Sequence, residues 1–366
     1  MQRPRNVNRN VRRVWLIGLA VLTLLVAACS SGDGESAETT TTAAGGSDTT
    51  AATTAPSEDP VPVSFGGSVT WYGHLPVMVA EQAGYFEEEG LDLTYEVILT
   101  SGDRLAALTA GDVDFSNLGR TALISAMAEG NESFYFIANI DDSPGQDGLL
   151  ARPGIESIED LVGLKVAANT SSLVTFMTHL EDHGLTGQVE IVNLSPADMC
   201  LALQNGDVDA IDVWQPLLGD CMDAFPEGTL IAEDTDSSIY EQFGTAAAPD
   251  IVIISRDLVD NQPEVAKRIM AAIFRGAETV NSDPNTTADL VADAYFQRPA
   301  EEVLEGASGF QFFGAENFQA HIEAHTAQMQ WLAEWLFEND QISSVPDVSN
   351  WVNYDFVLEL LEERDF

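Results

Sequence analysis

The stretch LTAGDVDFSNLG at Leu108–Gly119 returns ninety-five positions later as LQNGDVDAIDVW at Leu203–Trp214. In both copies an amphipathic run stops at a glycine, Gly111 or Gly206, the residue that ends a helix most easily. An apolar position, Val113 or Val208, then opens a short β-rich run. Extended backwards, YEVILTSGDRLAALTAGDVD falls on EIVNLSPADMCLALQNGDVD. Val97 and Leu99 match Val192 and Leu194, and Asp103 and Leu108 match Asp198 and Leu203. Thr100 matches Ser195 as a helix N-cap. One strand–helix–strand unit has therefore been used twice. The acids of GDVD read as turn residues. The informative letters are the ones that differ, Ser116-Asn117-Leu118-Gly119 against Ile211-Asp212-Val213-Trp214.

Around the repeat, β-rich and helical runs alternate, the rhythm of a mostly parallel sheet. GGSVTWY reads as the first strand, PVMVAEQAGYFEEEG as a helix, and LDLTYEVIL as the next strand. DFSNL, TALISAMAEG and SFYFIANI follow as strand, helix and strand. The pattern restarts with LKVAAN, a helix opened by Thr170, Ser171 and Ser172, then QVEIVNL, PADMCLALQNG and DAIDVW. After the strand APDIVIIS the tail is helical, its buried faces marked by Phe313, Phe318, Trp331, Trp335 and Phe337. The fold class is α/β: two Rossmann-like lobes joined by two crossover segments, with a helical C-terminal part. Residues 64–148 and 250–366 form lobe 1 and residues 149–249 form lobe 2.

The first 63 residues stand apart. Arginines crowd the start up to Arg13, the apolar run VWLIGLAVLTLLVAA follows, and LVAAC ends it at Cys29. Fifteen apolar residues are short for a membrane span and suit a signal peptide over residues 1–28. LVAAC resembles a lipobox, so cleavage leaves Cys29 as a lipidated first residue. Residues 29–63, rich in Thr, Ser, Ala, Gly and acids, form a flexible tether. The expected location is the outer face of the cell membrane, through that lipid anchor. Of the remaining cysteines, Cys200 and Cys221 can form one disulfide or stay as thiols.

With 15 Lys and Arg against 59 Asp and Glu, the formal charge is −44. Such a surface is unfit for nucleic acid, whose phosphates need clustered cations. HLPVMVAEQAGYFEEEGLDLTYEV, LTAGDVDFSNLG, PGIESIEDLVGLKVAANTSS and GDVDAIDVWQP, in this order, resemble the solute-binding proteins of ABC importers. The similarity is to the group for taurine, alkanesulfonates, nitrate and the pyrimidine precursor of thiamine. The resemblance implies the type 2 periplasmic binding protein fold, acting as a monomer that closes on a small molecule and delivers it to a membrane permease.

In such sheets ligands sit beyond the carboxyl ends of strands. That singles out Trp71, Tyr72 and His74 after the first strand, and Ser116 and Asn117 in the first repeat. Thr170, Ser171 and Ser172 open a helix whose free N–H groups suit an anion. Asp212, Trp214 and Gln215 close the second repeat, and the resemblance favours Trp214 above the others. Asp142 and Asp147 lie where the chain crosses between lobes. Acids facing the cleft would call for an amine, amidine or guanidinium, as in a taurine-like zwitterion.

No nucleophile elbow, P-loop or dinucleotide fingerprint is present, and no cofactor is implied. His179 and His183, and His321 and His325, stand four apart on helices, but HIEAH puts Glu323 out of place for a zincin. These read as helix-surface histidines with no metal. An enzyme on the same two-lobe fold is the alternative from another class; a pyrimidine-precursor or nitrate binder is the alternative within it.

Overall fold

Both copies of the repeat fold into the same clip. The helix Ser101–Ala110 ends at Gly111 (φ 78°) and the helix Pro196–Asn205 at Gly206 (φ 77°). Both glycines are left-handed, a conformation a Cβ would penalise. Val113 and Val208 are buried, and the second aspartate of each GDVD ties down the neighbouring strand. Asp114 Oδ2 accepts the Ser64 N–H (2.7 Å) and hydroxyl (2.8 Å), and Asp209 Oδ2 accepts the Lys165 N–H (2.9 Å). The N–H groups of Asp114 and Asp209 return bonds to the Ser64 and Lys165 carbonyls.

The computed structural model describes residues 59–169, 172–244, 250–364 and 366. The leader, Cys29 and most of the tether, as well as Thr170 and Ser171, lie outside the described residues. The strands are β1 (Val61–Gly67), β2 (Leu91–Val97), β3 (Phe115–Gly119), β4 (Phe134–Asn139), β5 (Asp141–Asp142), β6 (Asp147–Ala151), β7 (Lys165–Ala168), β8 (Glu190–Asn193), β9 (Ala210–Trp214), β10 (Thr229–Glu233), β11 (Asp250–Ser255) and β12 (Gln311–Phe312). One sheet has the order β2-β1-β3-β11-β4 and the other β10-β6-β9-β7-β8; β5 and β12 form a small ribbon. The chain leaves the first sheet after β4, enters the second at β6, and returns from β10 to β11. Strands β11 and β6 run antiparallel to their neighbours while the βαβ strands are parallel. These are the two α/β lobes with two crossings that the sequence pattern implies.

The first strand lies earlier than GGSVTWY. It is VPVSFGG, and Trp71 and Tyr72 belong to the loop and short 3-10 turn beyond it. Pro62 obscured it, since a proline is expected only on edges. The structure resolves this, because β1 meets β3 only at Phe65 and Gly66, leaving Pro62 with β2 alone.

The tail packs mainly on the first sheet. The helix Pro263–Ser282 buries Ile269, Met270 and Ile273 beside Phe65 and Phe115. The helix Ala315–Glu338 buries Met329, Leu332 and Leu336 in a cluster that also takes Val174 and Met177 from the second lobe. Phe313, Phe318 and Trp335 are buried, but Phe337 is exposed, next along the helix to the buried Leu336. Between the lobes, Trp335 Nε1 donates to Glu181 (2.7 Å) and Arg298 pairs with Asp220.

Cys200 and Cys221 are joined by a disulfide across 21 positions. Closing a loop of that size stabilises by about 3 kcal/mol. Reduction, or the Cys200→Ser/Cys221→Ser pair, is therefore expected to lower the melting temperature by roughly 5–10 °C. A melting curve indifferent to reductant would show that the bond is not formed in solution.

Candidate functional site

The loops beyond the carboxyl ends of both sheets meet at a narrow cleft that leaves a cavity of about 30 Å³. Trp71, Arg104 and Asp250 line it from the first lobe, and Asp147, Ser172 and Trp214 from the second. A larger groove of about 480 Å³ lies under the C-terminal helices. Its walls are mainly apolar and its acids, Glu301 and Glu305, are exposed, so it lacks the converging buried charges of the cleft.

The aromatic wall comes from both lobes. Trp71 and Trp214 meet edge to face, ring centroids 6.1 Å apart and planes at 81°. Trp214 Nε1 donates to the Thr70 carbonyl (3.3 Å), a bond between lobes that belongs to a closed cleft. Trp71 rests on Phe310 at 4.9 Å, which fixes its other side. Its indole N–H is buried without a partner. Gly73 lets it sit there, because a Cβ on Gly73 would collide with the Trp71 ring and the Asp141 carboxylate. Gly73→Ala is expected to weaken ligand binding at least tenfold by displacing Trp71, with a blue-to-red shift in indole fluorescence reporting its exposure. Unchanged affinity would mean that the Trp71 position is immaterial.

The acids are buried. Asp147 stands beside Trp214 in the β6–β9 register, with Oδ1 unpartnered. Burial above all, then Asp234, Asp212, Asp141 and Asp250, holds its carboxyl well above the usual range. Asp250 is aimed by a relay. The Ser68 N–H donates to His74 Nδ1 (3.2 Å), so the ring proton sits on Nε2 and donates to Asp250 Oδ2 (2.7 Å). Burial lowers the His74 pKa, which keeps the imidazole neutral in this role. The Asp250 N–H in turn donates to Asp141 Oδ1 (2.9 Å). Asp141 is raised, first by burial and then by Asp250 and Asp142.

Asp212, on β9, is pushed up to about 7 by burial, with the Ser172 hydroxyl pulling the other way. Asp234, on the returning crossover, is also pushed to about 7 by burial, although its Oδ1 accepts the Gly145 N–H at 2.6 Å. Asp142 is buried beside them and accepts the Ser143 N–H. A folded carboxyl raised above its usual 3.8 holds a proton that the unfolded chain releases. Its stabilising effect is complete below about pH 4 and is lost as pH rises through about 7. The ligand-free melting temperature should therefore fall between pH 5 and pH 8, and Asp212→Asn should flatten part of that slope. An unaltered slope in the variant would exclude Asp212 as a contributor.

Two cations share this region. Arg104, buried in the helix Ser101–Ala110, donates Nε to the Asn117 carbonyl, Nη1 to the Ile98 and Leu99 carbonyls, and Nη2 to Ser101 Oγ. Of its five N–H donors one is left over. Arg120 opens the helix Arg120–Ala128, is 1% exposed, and has no hydrogen-bond partner for any guanidinium nitrogen.

The sequence-derived residues thus divide. Trp71, Asp147, Ser172 and Trp214 line the cleft together. Asn117 and Asp212 are buried at matching positions of the two repeats, both carrying unpartnered polar atoms. His74 works one step back, through Asp250. Tyr72 turns into the core against Phe296 and Phe310, and burial raises its phenol to about 12. Ser116 Oγ is spent on the Gly66 carbonyl (2.6 Å), and Gln215 Oε1 accepts the Gly219 N–H (3.2 Å) at a helix start. His179 and His325 are not surface histidines. Both are buried, His325 Nδ1 accepting the Asn139 N–H (3.1 Å), while His183 pairs with Glu159 at the surface. Among the described residues no cluster of His, Cys, Asp and Glu fits a metal ion.

Arg104, Arg120 and Asp250 escaped the sequence reading. The repeat held a signal for Arg104, which stands where the second copy has the core residue Met199. Arg120 falls opposite Gln215, just past the matched letters. Asp250 carries no local motif.

Two α/β lobes, two crossings and a polar cleft between strand ends define a two-lobed solute-binding protein. The chain belongs to the NMT1/THI5 like family, whose model matches residues 71–287, within the solute-binding proteins of ABC importers. It is 27% identical over 237 residues to a binding protein of Brucella abortus (strain 2308), covering 64% of this chain and 72% of that one. It is 28% identical over 218 residues to the taurine-binding periplasmic protein of Escherichia coli (strain K12), covering 57% and 64%. The alkanesulfonate-binding protein from Xanthomonas axonopodis pv. citri, solved bound to MOPS, shares the fold with a TM-score of 0.67 at 18% identity, over 81% of this chain and 99% of that one.

Proposed function

We propose that this protein is an exported solute-binding protein, anchored through Cys29, that closes its two lobes on a small molecule bearing a positive nitrogen group and hands it to an ABC permease. One observation carries the ligand class. Asp147, buried and with an unpartnered carboxylate oxygen, faces the cleft beside Trp214, with Asp250 across from it. A buried carboxylate is costly unless it is protonated or meets a cation, and an ammonium or guanidinium meets that need. The tryptophans agree with it, since a cation is attracted to an indole face. Set edge to face at 81°, they favour a compact charged head over a flat ring held between parallel faces. This counts against the pyrimidine precursor. The buried acids count against nitrate. The taurine-binding relative supports a ligand with an amine.

Binding of the cation draws Asp147 into its ionised form, so affinity should fall as pH drops and the raised carboxyl protonates. Asp147→Asn, which keeps the shape and removes the charge, is expected to weaken binding of amine-bearing probes by about thirtyfold or more. Calorimetric titration with taurine and short alkylamines at pH 8 and pH 5.5 measures both effects. If Asp147→Asn binds these probes as tightly as the parent, or if no amine binds the parent, the reading is wrong.

A further inference from the structure

Arg298 and Asp220 join the two lobes by a bidentate ion pair. Arg298 Nη1 donates to Asp220 Oδ1 (2.7 Å) and Nη2 to Oδ2, and both side chains stay partly open to water. Each partner is held by its own lobe. Asp220 lies in the helix Leu217–Ala224, whose Leu218 and Cys221 are buried with Leu150, Ile211 and Val213 of the second sheet. Arg298 follows a π-helical turn, Ala292–Phe296, whose Phe296 packs on Tyr72 of the first lobe at 4.8 Å. Between them Gln297 takes a left-handed backbone (φ 52°), a conformation unfavourable for a residue with a Cβ. That reversal sends Arg298 across to the second lobe.

Both ends of the pair stand close in the chain to the cleft tryptophans. The helix of Asp220 starts directly after Trp214, Gln215 and Pro216, with Gln215 Oε1 accepting the Gly219 N–H. Tyr72, under Phe296, is the neighbour of Trp71. The Trp214 bond to the Thr70 carbonyl also crosses between the lobes, so parting them breaks both contacts. Arg298 then has a second acid to hand: Glu302, one turn on in the helix Ala300–Ala307, already lies 3.8 Å from Nη1. Water replaces an exposed ion pair at little cost, and Glu302 takes up the guanidinium, so opening strands no charge. The apolar seam where Val174 and Met177 meet Met329 and Trp335 has no such substitute, because water is a poor partner for it.

We propose that Arg298 and Asp220 form a reversible latch on the closed form, made as the lobes shut and passed to Glu302 as they part. Contacts that form in the same closed state support one another. A ligand held between the tryptophans strengthens the latch, and the latch slows the ligand's release. The proposal rests on the two-lobe closure of the proposed function and not on the chemistry of the ligand.

Hydrogen exchange in the ligand-free protein tests it. Arg298→Gln and Asp220→Asn are each expected to speed exchange of residues 68–74 and 215–220 by about two- to fivefold, the scale of one well-formed exposed ion pair. Strands β3 and β7, inside the two sheets, should exchange as before. The charge swap Arg298→Asp with Asp220→Arg should restore protection, and Glu302→Gln, which removes the competing acid, should increase it. Raising NaCl to about 0.5 M should speed exchange in the parent but not in Arg298→Gln. With taurine as the probe, Arg298→Gln should release it faster by a similar factor at an unchanged association rate. Exchange unaltered in both single variants would overturn the latch. So would exchange accelerated equally in β3 and β7, the mark of a merely structural pair. That arm needs no ligand, so its failure leaves the amine reading standing, whereas failure of the parent to bind taurine and alkylamines counts against that reading alone.

Discussion

The clip at GDVD is the constraint on which the two lobes depend. A left-handed glycine ends a helix, a buried valine leads into a strand, and the aspartate just before that strand bonds to the neighbouring strand. Each contact is local and modest. Together they fix where β3 and β9 begin, and so where their carboxyl ends deliver Asn117, Gly119, Asp212 and Trp214. With the strand lengths equal, five residues each, the two copies end their strands at equivalent positions. The architecture can then be kept while the presented letters change.

The cleft carries the opposite thermodynamic character. Asp147 lines it, and Asp141, Asp212 and Asp234 are buried in the same protein with raised carboxyl values, as is a guanidinium with no partner. Fold stability does not select such a set, since well-packed apolar residues would cost less. A ligand that completes the missing pairs gains what the empty protein lacks. Affinity for the closed form and instability of the empty one are two consequences of the same unmet charges.

How much of this was legible in the sequence follows from range. The repeat, the Thr100 cap and the βαβ rhythm are set by contacts a few residues apart and read correctly, whereas Ser195 sits at the matching N-cap position without a side-chain cap bond. The first strand was misplaced because whether Pro62 is tolerable depends on β3, some fifty residues on. Tyr72 and Ser116 were read as ligand contacts, but their partners, Phe296 and Gly66, lie in elements the local pattern does not name. His179 and His325 looked exposed because four-residue spacing marks a face without saying what covers it. Here each face meets the other lobe or β4.

The divergence between the repeats holds more than its unmatched tail. At the offset of ninety-five, Asn117 answers to Asp212, Arg104 to Met199 and Arg120 to Gln215. In the second copy these positions are an acid, a core residue and a helix-start cap; in the first they are an amide and two buried guanidinium groups. Of the charges that line the cleft, Asp147 comes from the second lobe and Asp250 and Arg104 from the first. A duplicated unit has thus kept its backbone while changing the charge its two copies carry at equivalent positions.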